Sequence, residues 1–404
     1  MSSMVRNFPL LLAYILYPTI MMFSRVFELS LARIWIDVVW VLLGIFVIFF
    51  AIARLSISES RRVAWYVVPF FIIIVILAVL KWGGGWYFSD IELIPYFMEL
   101  KPVVYLLFAW AWVQVFGRLW QNYFVVFGAI LGIIIIVDFF VESILAGSIS
   151  RPYGSGEINY DACLLLISLI MSLVGKCQVR RVWTWLVVIG LFLTFSRTAL
   201  AAAIVIIFLY SSVKFKTKLT ISSLAFLFAI GSFVLRDLPL DTLSSMDRYW
   251  MWVSGIGLFI ESPGQLVFGF PVGVALPANT PMAMEWLWES QSAGWGLSGV
   301  YPYNFHAFWL RLTITWGILA IGFLLMIVVL MLSRRREKLK KALYMLVLIE
   351  GVTMGLFYLS NVGVPLFLAL LVQDVWHPKK AYALKRVAVN REPVSPALSG
   401  SNSF

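Results

Sequence analysis

The chain has few of the residues from which metal sites, disulfides and nucleotide sites are built. It contains two cysteines and two histidines. Cys163 lies in an apolar run and Cys177 in a short polar segment, so we expect neither a disulfide nor a metal-binding set. A glycine-rich nucleotide motif and a Ser-His-Asp signature are also missing, which argues against an ATP-dependent or nucleotide-sugar enzyme. We therefore expect no cofactor and no metal.

Charge is scarce too, and its scarcity decides the class of protein. Only 13% of the residues are charged and 62% are hydrophobic, which excludes a soluble globular domain. Apolar runs recur along the chain and predict an all-α polytopic membrane protein with about twelve transmembrane helices. The predicted spans are residues 8–24, 34–54, 64–80, 102–117, 123–141, 160–175, 182–195, 198–213, 219–235, 308–332, 342–360 and 362–376.

The distribution of basic residues predicts the orientation. Lysine and arginine fall mainly in alternate loops and in the C-terminal segment, which places both termini in the cytoplasm. The net charge of +11 is then a topology signal that also attracts anionic lipid, so we expect membrane lipids and no nucleic acid as partners. The resulting domains are helices one to nine in 1–235, one outer loop in 236–307, helices ten to twelve in 308–376, and a disordered cytoplasmic tail in 377–404.

The long outer loop is too rich in aromatic residues to be disordered. Its segment Asp247–Ile260 predicts an amphipathic helix, with Asp247 favourable in the first turn and Ser262-Pro263-Gly264 as the stop signal. Tryptophan and tyrosine are stable at a membrane–water interface. We therefore expect this helix to lie on the surface of the outer leaflet.

Four arginines depart from the charge rule and lie on the outer side together with one histidine. They are Arg151, Arg197, Arg248 and Arg311, and the histidine is His306. Cations held away from the cytoplasmic loops, beside an aromatic loop, indicate a site that binds an anionic substrate at the outer membrane surface.

Three of these arginines have both a structural and a functional interpretation. Arg197 lies in a tight turn between two apolar spans, where it either snorkels to the interface or binds an anionic headgroup. Arg248 opens the loop helix and either pairs with Asp247 or offers bidentate hydrogen bonds to phosphate. Arg151 precedes a glycine-rich loop and either pairs with Asp161 or supplies a third phosphate ligand.

The remaining candidates also have two interpretations. His306 is either structural or a general base, a role that the ordinary pKa of histidine suits. Arg311 follows five residues later, near the start of a span, and contacts either headgroups or substrate. Glu350 is an acid inside the predicted span 342–360, so it either marks a site or makes hydrogen bonds between helices.

The order of these segments resembles the bacterial O-antigen ligase and O-antigen polymerase superfamily. Phe195–Leu200 is similar to its (S/T)-R-(T/A)-x-L element, and Arg151–Asp161 to its R-x-x-G…N-x-x-A stretch. His306 followed by Gly317 is similar to the His-(Asn/Ser/Gln)-x9-Gly element of ligases. The family's R…W…P…G-x-G block has its counterpart in Arg248–Trp252, Ser262-Pro263 and Gly269–Gly273.

The resemblance implies a GT-C-like membrane fold and a metal-independent, inverting glycosyltransferase. The donor would be a glycan on undecaprenyl diphosphate at the periplasmic face of the bacterial inner membrane. Arg197, Arg248 and Arg151 would bind the diphosphate, and His306 would be the general base. The residues with supporting roles would be Arg311, Asp161, Tyr249 and Trp250. Ala307 stands where the ligase element has Asn, Ser or Gln, so two acceptors stay open: lipid A-core for a ligase, or a lipid-linked repeat unit for a polymerase.

Other classes of membrane protein remain as alternatives. A twelve-span secondary transporter or a flippase for lipid-linked glycans would show similar hydropathy. Transporters often have half-to-half symmetry and a long central cytoplasmic loop, whereas the long loop here is external and late in the chain. A peptidoglycan-type polymerase would also use a polyprenyl diphosphate donor, but it would depend on an outer acidic residue and have fewer spans.

Overall fold

The computed structural model describes residues 3–26, 32–55, 91–175, 177, 179–234, 247–278, 281–333 and 337–372. In these ranges the regular secondary structure is helical and contains no strand, and an isolated antiparallel bridge joins Leu276 to Val300. The all-helical fold class predicted from the sequence is therefore confirmed for the described part of the chain.

The helices are numbered here in chain order. They are α1 Ser3–Arg6, α2 Phe8–Leu11, α3 Tyr17–Val26, α4 Ala32–Leu55, α5 Leu93–Phe116, α6 Gln121–Ala146, α7 Ile158–Leu173, α8 Arg181–Leu193, α9 Arg197–Tyr210, α10 Phe215–Val234, α11 Asp247–Glu261, α12 Gln265–Phe268, α13 Met282–Ala293, α14 Phe308–Trp316, α15 Ile318–Ser333, α16 Lys338–Glu350 and α17 Ser360–Leu370. A π-helical turn covers Leu12–Leu16, and 3-10 turns cover Pro302–Asn304 and Leu356–Tyr358.

The helices follow the predicted spans most closely in the middle of the chain. Helices α6 to α10 match the five predicted spans between residues 123 and 235 within a few residues at each end. Helix α5 begins at Leu93, well before the predicted start at residue 102. The predicted span 64–80 and the tail 377–404 lie outside the described residues.

Two predicted spans are wrong as single helices. The span 308–332 is divided into α14 and α15 at Gly317, which has a φ of 57°. A Cβ on Gly317 would lie 2.6 Å from the backbone nitrogen of Gly269, so only glycine allows the two backbones to meet here. The span 342–360 stops being helical after Glu350, and the carbonyl of Gly351 accepts from the backbone N–H of Trp309 at 3.1 Å.

Within the part of the chain that the structure describes, two helices, α5 and α6, are long and apolar enough to cross a membrane, and further apolar helices have 10–17 residues. Helix α6 also turns large apolar side chains outward near its C-terminus, where Ile144 and Leu145 are 77% and 75% exposed. Such side chains suit a lipid environment better than water. By length and composition, these helices support association of the protein with a membrane.

Helix α7 lies at the centre of the bundle. It packs against α6, α8, α9, α16 and α17, and residues 161–171 are all buried. A helix that is apolar on every side belongs in such a position. Because its neighbours surround it, its first turn is held firmly, and that turn forms one wall of the site.

The predicted outer loop is largely ordered where the structure describes it. The predicted helix Asp247–Ile260 is confirmed as α11, and it ends at the predicted Ser262-Pro263-Gly264 signal. One face of α11 packs with α13 and α14 around a small apolar core of its own. This core contains Met251, Leu258, Phe270, Leu276, Met284, Trp288, Val300, Phe305, Ala307, Leu310 and Ile314.

Helices α6 and α8 approach each other closely through two glycines, and this contact carries a prediction. A Cβ on Gly190 would lie 2.6 Å from the Cα of Gly132. We expect Gly190→Ala to lower the free energy of unfolding by about 1–3 kcal/mol, because the two backbones must separate. The matched control is Gly322→Ala on α15, where a Cβ meets no atom within 4 Å. Thermal unfolding in detergent measures both variants, and equal shifts of the midpoint would contradict the close packing.

Candidate functional site

A cavity of about 830 Å³ opens among the first turns of four helices, α7, α9, α11 and α17. Each helix N-terminus carries unpaired backbone N–H groups and a partial positive charge. The cavity is therefore electropositive even before the charged side chains are considered, as anion-binding sites often are. The lining residues from these turns are Glu157, Asn159, Tyr160, Ser196, Arg197, Thr198, Asp247, Arg248, Ser360 and Asn361.

The three arginines assigned to phosphate binding and the histidine assigned as base all line this cavity. Arg151, Arg197, Arg248 and His306 come from separate parts of the chain and meet here. Lys101 of α5, which was not predicted as a site residue, is a further cation in the cavity wall. The structure thus brings together the predicted ligands of an anionic group.

Arg197 is positioned by a strained turn. Phe195 has a φ of 50°, a left-handed conformation that is costly for an aromatic residue. The turn is held by Thr194, whose hydroxyl donates to the Leu191 carbonyl at 2.7 Å and accepts from the Ser196 N–H at 3.2 Å. As a result Arg197 is the first residue of α9 and faces the cavity. The predicted tight turn between two apolar segments is confirmed.

Arg151 is held by neutral partners. Its Nε donates to the Thr194 carbonyl at 2.8 Å, and its Nη2 donates to Oδ1 of Asn159 at 2.8 Å. The alternative of an Arg151–Asp161 pair is wrong, because buried Asp161 accepts from the backbone N–H of Ser155 at 2.7 Å instead. Asp161 therefore shapes the loop from behind and does not line the cavity.

Arg248 also meets a different acid from the one expected. Its Nη2 lies 3.3 Å from Oε1 of Glu157, and its Nε donates to the Thr353 carbonyl at 2.9 Å. The side chains of Arg248 and Glu157 keep 31% and 34% of their surface exposed. Because solvent screens such a pair, it stabilises the fold little. An incoming anion can therefore reach Arg248 and compete with Glu157 for it.

The guanidinium groups of Arg151 and Arg248 are oriented in the same way. In each, Nε is anchored on a backbone carbonyl and Nη2 on a side chain. Within the described part of the chain, the Nη1 atom of each has no hydrogen-bond partner. Planar guanidinium groups fixed at one edge present their remaining donors in a defined direction, which suits recognition of phosphate oxygens.

His306 is partly buried beside these charges, and its environment favours the neutral imidazole. Burial, together with the positive charges of Arg248 and Arg311, lowers the pKa of His306 to about 4, against the opposing effects of Glu157 and Asp247. Burial alone would raise the pKa of Glu157, but Arg248 and hydrogen bonds to Tyr160 and Asn159 bring the net pKa below its ordinary value. At neutral pH the site therefore holds a carboxylate and an unprotonated histidine.

The position of Arg311 in the structure excludes both predicted contacts, the one with lipid headgroups and the one with substrate. It does not line the cavity; its Nη2 lies 2.8 Å from Oε1 of Glu99 in a pair that is almost fully buried. Its guanidinium also lies over the ring of Tyr358, 3.7 Å from the ring centroid. Arg311 therefore joins α14 to α5, and it supports the site by fixing the helix that follows His306.

This buried pair predicts a large effect on stability. Glu99→Ala leaves the Arg311 charge without its partner, and we expect a loss of about 3–5 kcal/mol in the free energy of unfolding. The double variant Glu99→Met with Arg311→Met removes both charges and should regain most of that loss. Chemical denaturation in detergent measures both. A double variant as unstable as the single one would show that the unpaired charge is not the cause.

Tyr249 and Trp250, the other residues assigned supporting roles, do not line the cavity. Tyr249 is 40% exposed on the outer face of α11, and Trp250 packs at the edge of the small core. Both follow Arg248 directly in the chain, but the helix directs the arginine and the two aromatic rings differently.

Glu350 is fully buried and is one of the residues that line the cavity. Neither of its carboxyl oxygens has a hydrogen-bond partner among the described residues. The alternative of hydrogen bonds between helices therefore has no support in the described ranges. Buried polar groups without partners are uncommon in folded proteins, and Glu350 remains a candidate member of the site.

Several residues that line the cavity were not predicted as site residues from the sequence. Glu157 and Asn159 lie in the segment Arg151–Asp161 that was singled out, Glu157 directly before α7 and Asn159 in its first turn. Their position at the start of an apolar helix was a usable signal. Lys101 and Gln291 stand in no recognisable motif, and only the fold brings them to the cavity. Within the described ranges, no three His, Cys, Asp or Glu side chains are grouped so as to hold a metal ion.

Comparisons of the chain with known protein families, with curated proteins and with solved structures find no match. The function of the protein is therefore indicated by the chemistry of the cavity and by the motifs that lie in its wall.

Proposed function

We propose that this protein is a membrane glycosyltransferase of the O-antigen ligase or polymerase type. It would transfer a glycan from undecaprenyl diphosphate to a hydroxyl group of an acceptor sugar. The observation that carries the proposal is the meeting of Arg151, Arg197, Arg248 and His306 in one cavity among helix N-termini. Three guanidinium groups suit the binding of a diphosphate leaving group, and one neutral imidazole suits the role of general base.

The donor diphosphate is recognised by charge and geometry. Arg197 lies at the N-terminus of α9, where the helix dipole adds to its positive charge. Arg151 and Arg248 have anchored guanidinium groups whose remaining donors complete the set. On binding, the diphosphate takes the place that Glu157 occupies at Arg248. Such preorganised donors stabilise the negative charge that grows on the leaving oxygen in the transition state.

The transfer step is a single displacement. The acceptor hydroxyl oxygen forms a bond to the anomeric carbon as the bond from that carbon to the diphosphate oxygen breaks, with inversion of configuration. The proton of the hydroxyl passes to His306, and undecaprenyl diphosphate leaves with the electron pair. His306 is suited to this role because its imidazole is neutral at neutral pH.

The site would face the periplasm of a bacterial inner membrane, with about twelve spans and both termini in the cytoplasm. The apolar helices α5 and α6 and the lysine- and arginine-rich loops support this placement. The acceptor is either lipid A-core, for a ligase, or a lipid-linked repeat unit, for a polymerase.

A gel of surface glycans tests this function. A strain that lacks the gene is complemented with the wild-type protein or with His306→Ala. Lipid A-core bearing a single repeat unit in the deletion strain indicates a polymerase, and bare core with polymer held on the lipid carrier indicates a ligase. Full rescue by His306→Ala would contradict the proposal and favour transport of the lipid-linked glycan.

A further inference from the structure

The geometry points to Gln291 as the positioning residue that selects the tautomer of His306. Gln291 lies on α13, lines the cavity, and places its Nε2 atom 2.7 Å from Nε2 of His306. A ring nitrogen at that distance from a side-chain amide is either the donor or the acceptor, and the hydrogen bonds around Gln291 decide which it is.

The direction of these hydrogen bonds follows from one backbone donor. The N–H of Tyr301 donates to Oδ1 of Asn304 at 2.7 Å, so the other end of that amide is its NH₂ group. This NH₂ group donates to Oε1 of Gln291 at 3.0 Å. The NH₂ group of Gln291 must then face His306, and an amide nitrogen only donates. Nε2 of His306 is therefore the acceptor, and the ring proton is on Nδ1.

Neighbouring residues hold in place this relay of hydrogen bonds, which runs from Tyr301 through Asn304 and Gln291 to His306. Asn304 is fully buried within a 3-10 turn. Ser292, the neighbour of Gln291, donates to the Gly299 carbonyl at 2.8 Å and accepts from the hydroxyl of Tyr303 at 3.3 Å. Gln291 is thus held both by the contacts of its own helix at Ser292 and by the side-chain amide of Asn304. Its NH₂ group can therefore point in one direction only.

This arrangement makes Nε2 the nitrogen that takes the proton. In this structure the NH₂ group of Gln291 occupies the position from which an acceptor hydroxyl must donate to Nε2. The hydroxyl replaces the amide when the acceptor binds, and its proton moves to Nε2 during transfer. This role rests on the proposed function, whereas the tautomer itself is a property of the unliganded protein and is measured without any substrate.

The test uses the fact that the chain has only two histidines, His306 and His377. A His377→Gln background leaves His306 as the single imidazole, and its two nitrogens are resolved by ¹⁵N NMR of histidine-labelled protein in lipid nanodiscs at neutral pH. We expect an unprotonated Nε2 and a protonated Nδ1. A proton on Nε2 would overturn the inference.

A near-isosteric variant reverses the relay. In Gln291→Glu, one carboxylate oxygen still accepts from Asn304, and the other now accepts from His306, so the proton should move to Nε2. The added negative charge acts on His306 in the same direction as Glu157 and Asp247, which raise its pKa, and against Arg248 and Arg311, which lower it. The pH at which the transfer rate falls on the acidic side should therefore be higher in this variant.

The matched control is Gln265→Glu on α12. It adds the same charge to the same outer region but does not line the cavity, so it should leave the tautomer and the pH profile unchanged. An unchanged tautomer in Gln291→Glu would overturn the inference. The predicted tautomers without any transfer activity would leave the inference standing and contradict only the proposed function.

Discussion

Arg197→Ala and Arg248→Ala should each reduce glycan transfer by about 100- to 1,000-fold, the usual cost of removing one preorganised donor to a developing oxyanion. Both side chains line the cavity from the first turn of a helix. Lysine in place of either arginine should also lose much of the activity, because an ammonium group cannot make the bidentate contact to phosphate. The measurement is the rate of transfer by purified variants reconstituted in vesicles.

The control for this pair is Arg181→Ala. Arg181 is an exposed arginine at the start of α8 and does not line the cavity. It should leave transfer unchanged, while the thermal midpoints of all variants should stay close to that of the wild type. Near-normal transfer by both Arg197→Ala and Arg248→Ala would contradict the binding of a diphosphate in this cavity.

The second large effect concerns His306. His306→Ala should lose about 100- to 10,000-fold in rate at neutral pH, the range typical of general base catalysis. His377→Ala replaces the only other histidine and should have no effect. Equal activity of the two variants would exclude His306 as the base.

The pH profile gives an independent check on the same residue. The pKa of His306 is lowered to about 4, so the base stays unprotonated down to weakly acidic pH and is lost as the pH falls through that value. The rate should therefore be flat from about pH 8 to pH 6 and should fall toward pH 4, whereas an ordinary histidine would lose half its activity near pH 6.5. A midpoint near 6.5 would contradict the burial of His306 among cations.

Local features of the site were predictable from the sequence. The helix that carries Arg248 has an acidic first residue and a Ser-Pro-Gly stop, and both signals act within one helix. The turn before Arg197 lies between two apolar runs that leave almost no room for a loop. In each case the residues that determine the structure are neighbours in the chain.

Long-range partners were not predictable in this way. Arg311 pairs with Glu99, 212 positions away, and no periodicity or motif connects them. Arg248 pairs with Glu157, 91 positions away, and not with the adjacent Asp247. Sequence patterns identify which charges need a partner, but the packing of α5, α7, α11 and α14 decides which partner each one has.

The break between α14 and α15 at Gly317 was also not predictable from the sequence pattern. Apart from Arg311 and two threonines, residues 308–332 are apolar or glycine, so hydropathy predicts one span. The break depends on Gly269, which follows α12, contacts the chain at Gly317 and leaves no room for a side chain there. A pattern of apolar residues contains no information about such a contact.

The most direct test of the central claim uses purified protein in vesicles that contain a glycan-loaded polyprenyl diphosphate and an acceptor glycolipid. The wild-type protein should release free polyprenyl diphosphate and form a product whose new glycosidic bond has the inverted anomeric configuration. His306→Ala should do neither. Donor that stays intact but crosses to the other leaflet, equally with wild type and His306→Ala, would contradict glycosyl transfer and identify the cavity as part of a transport path.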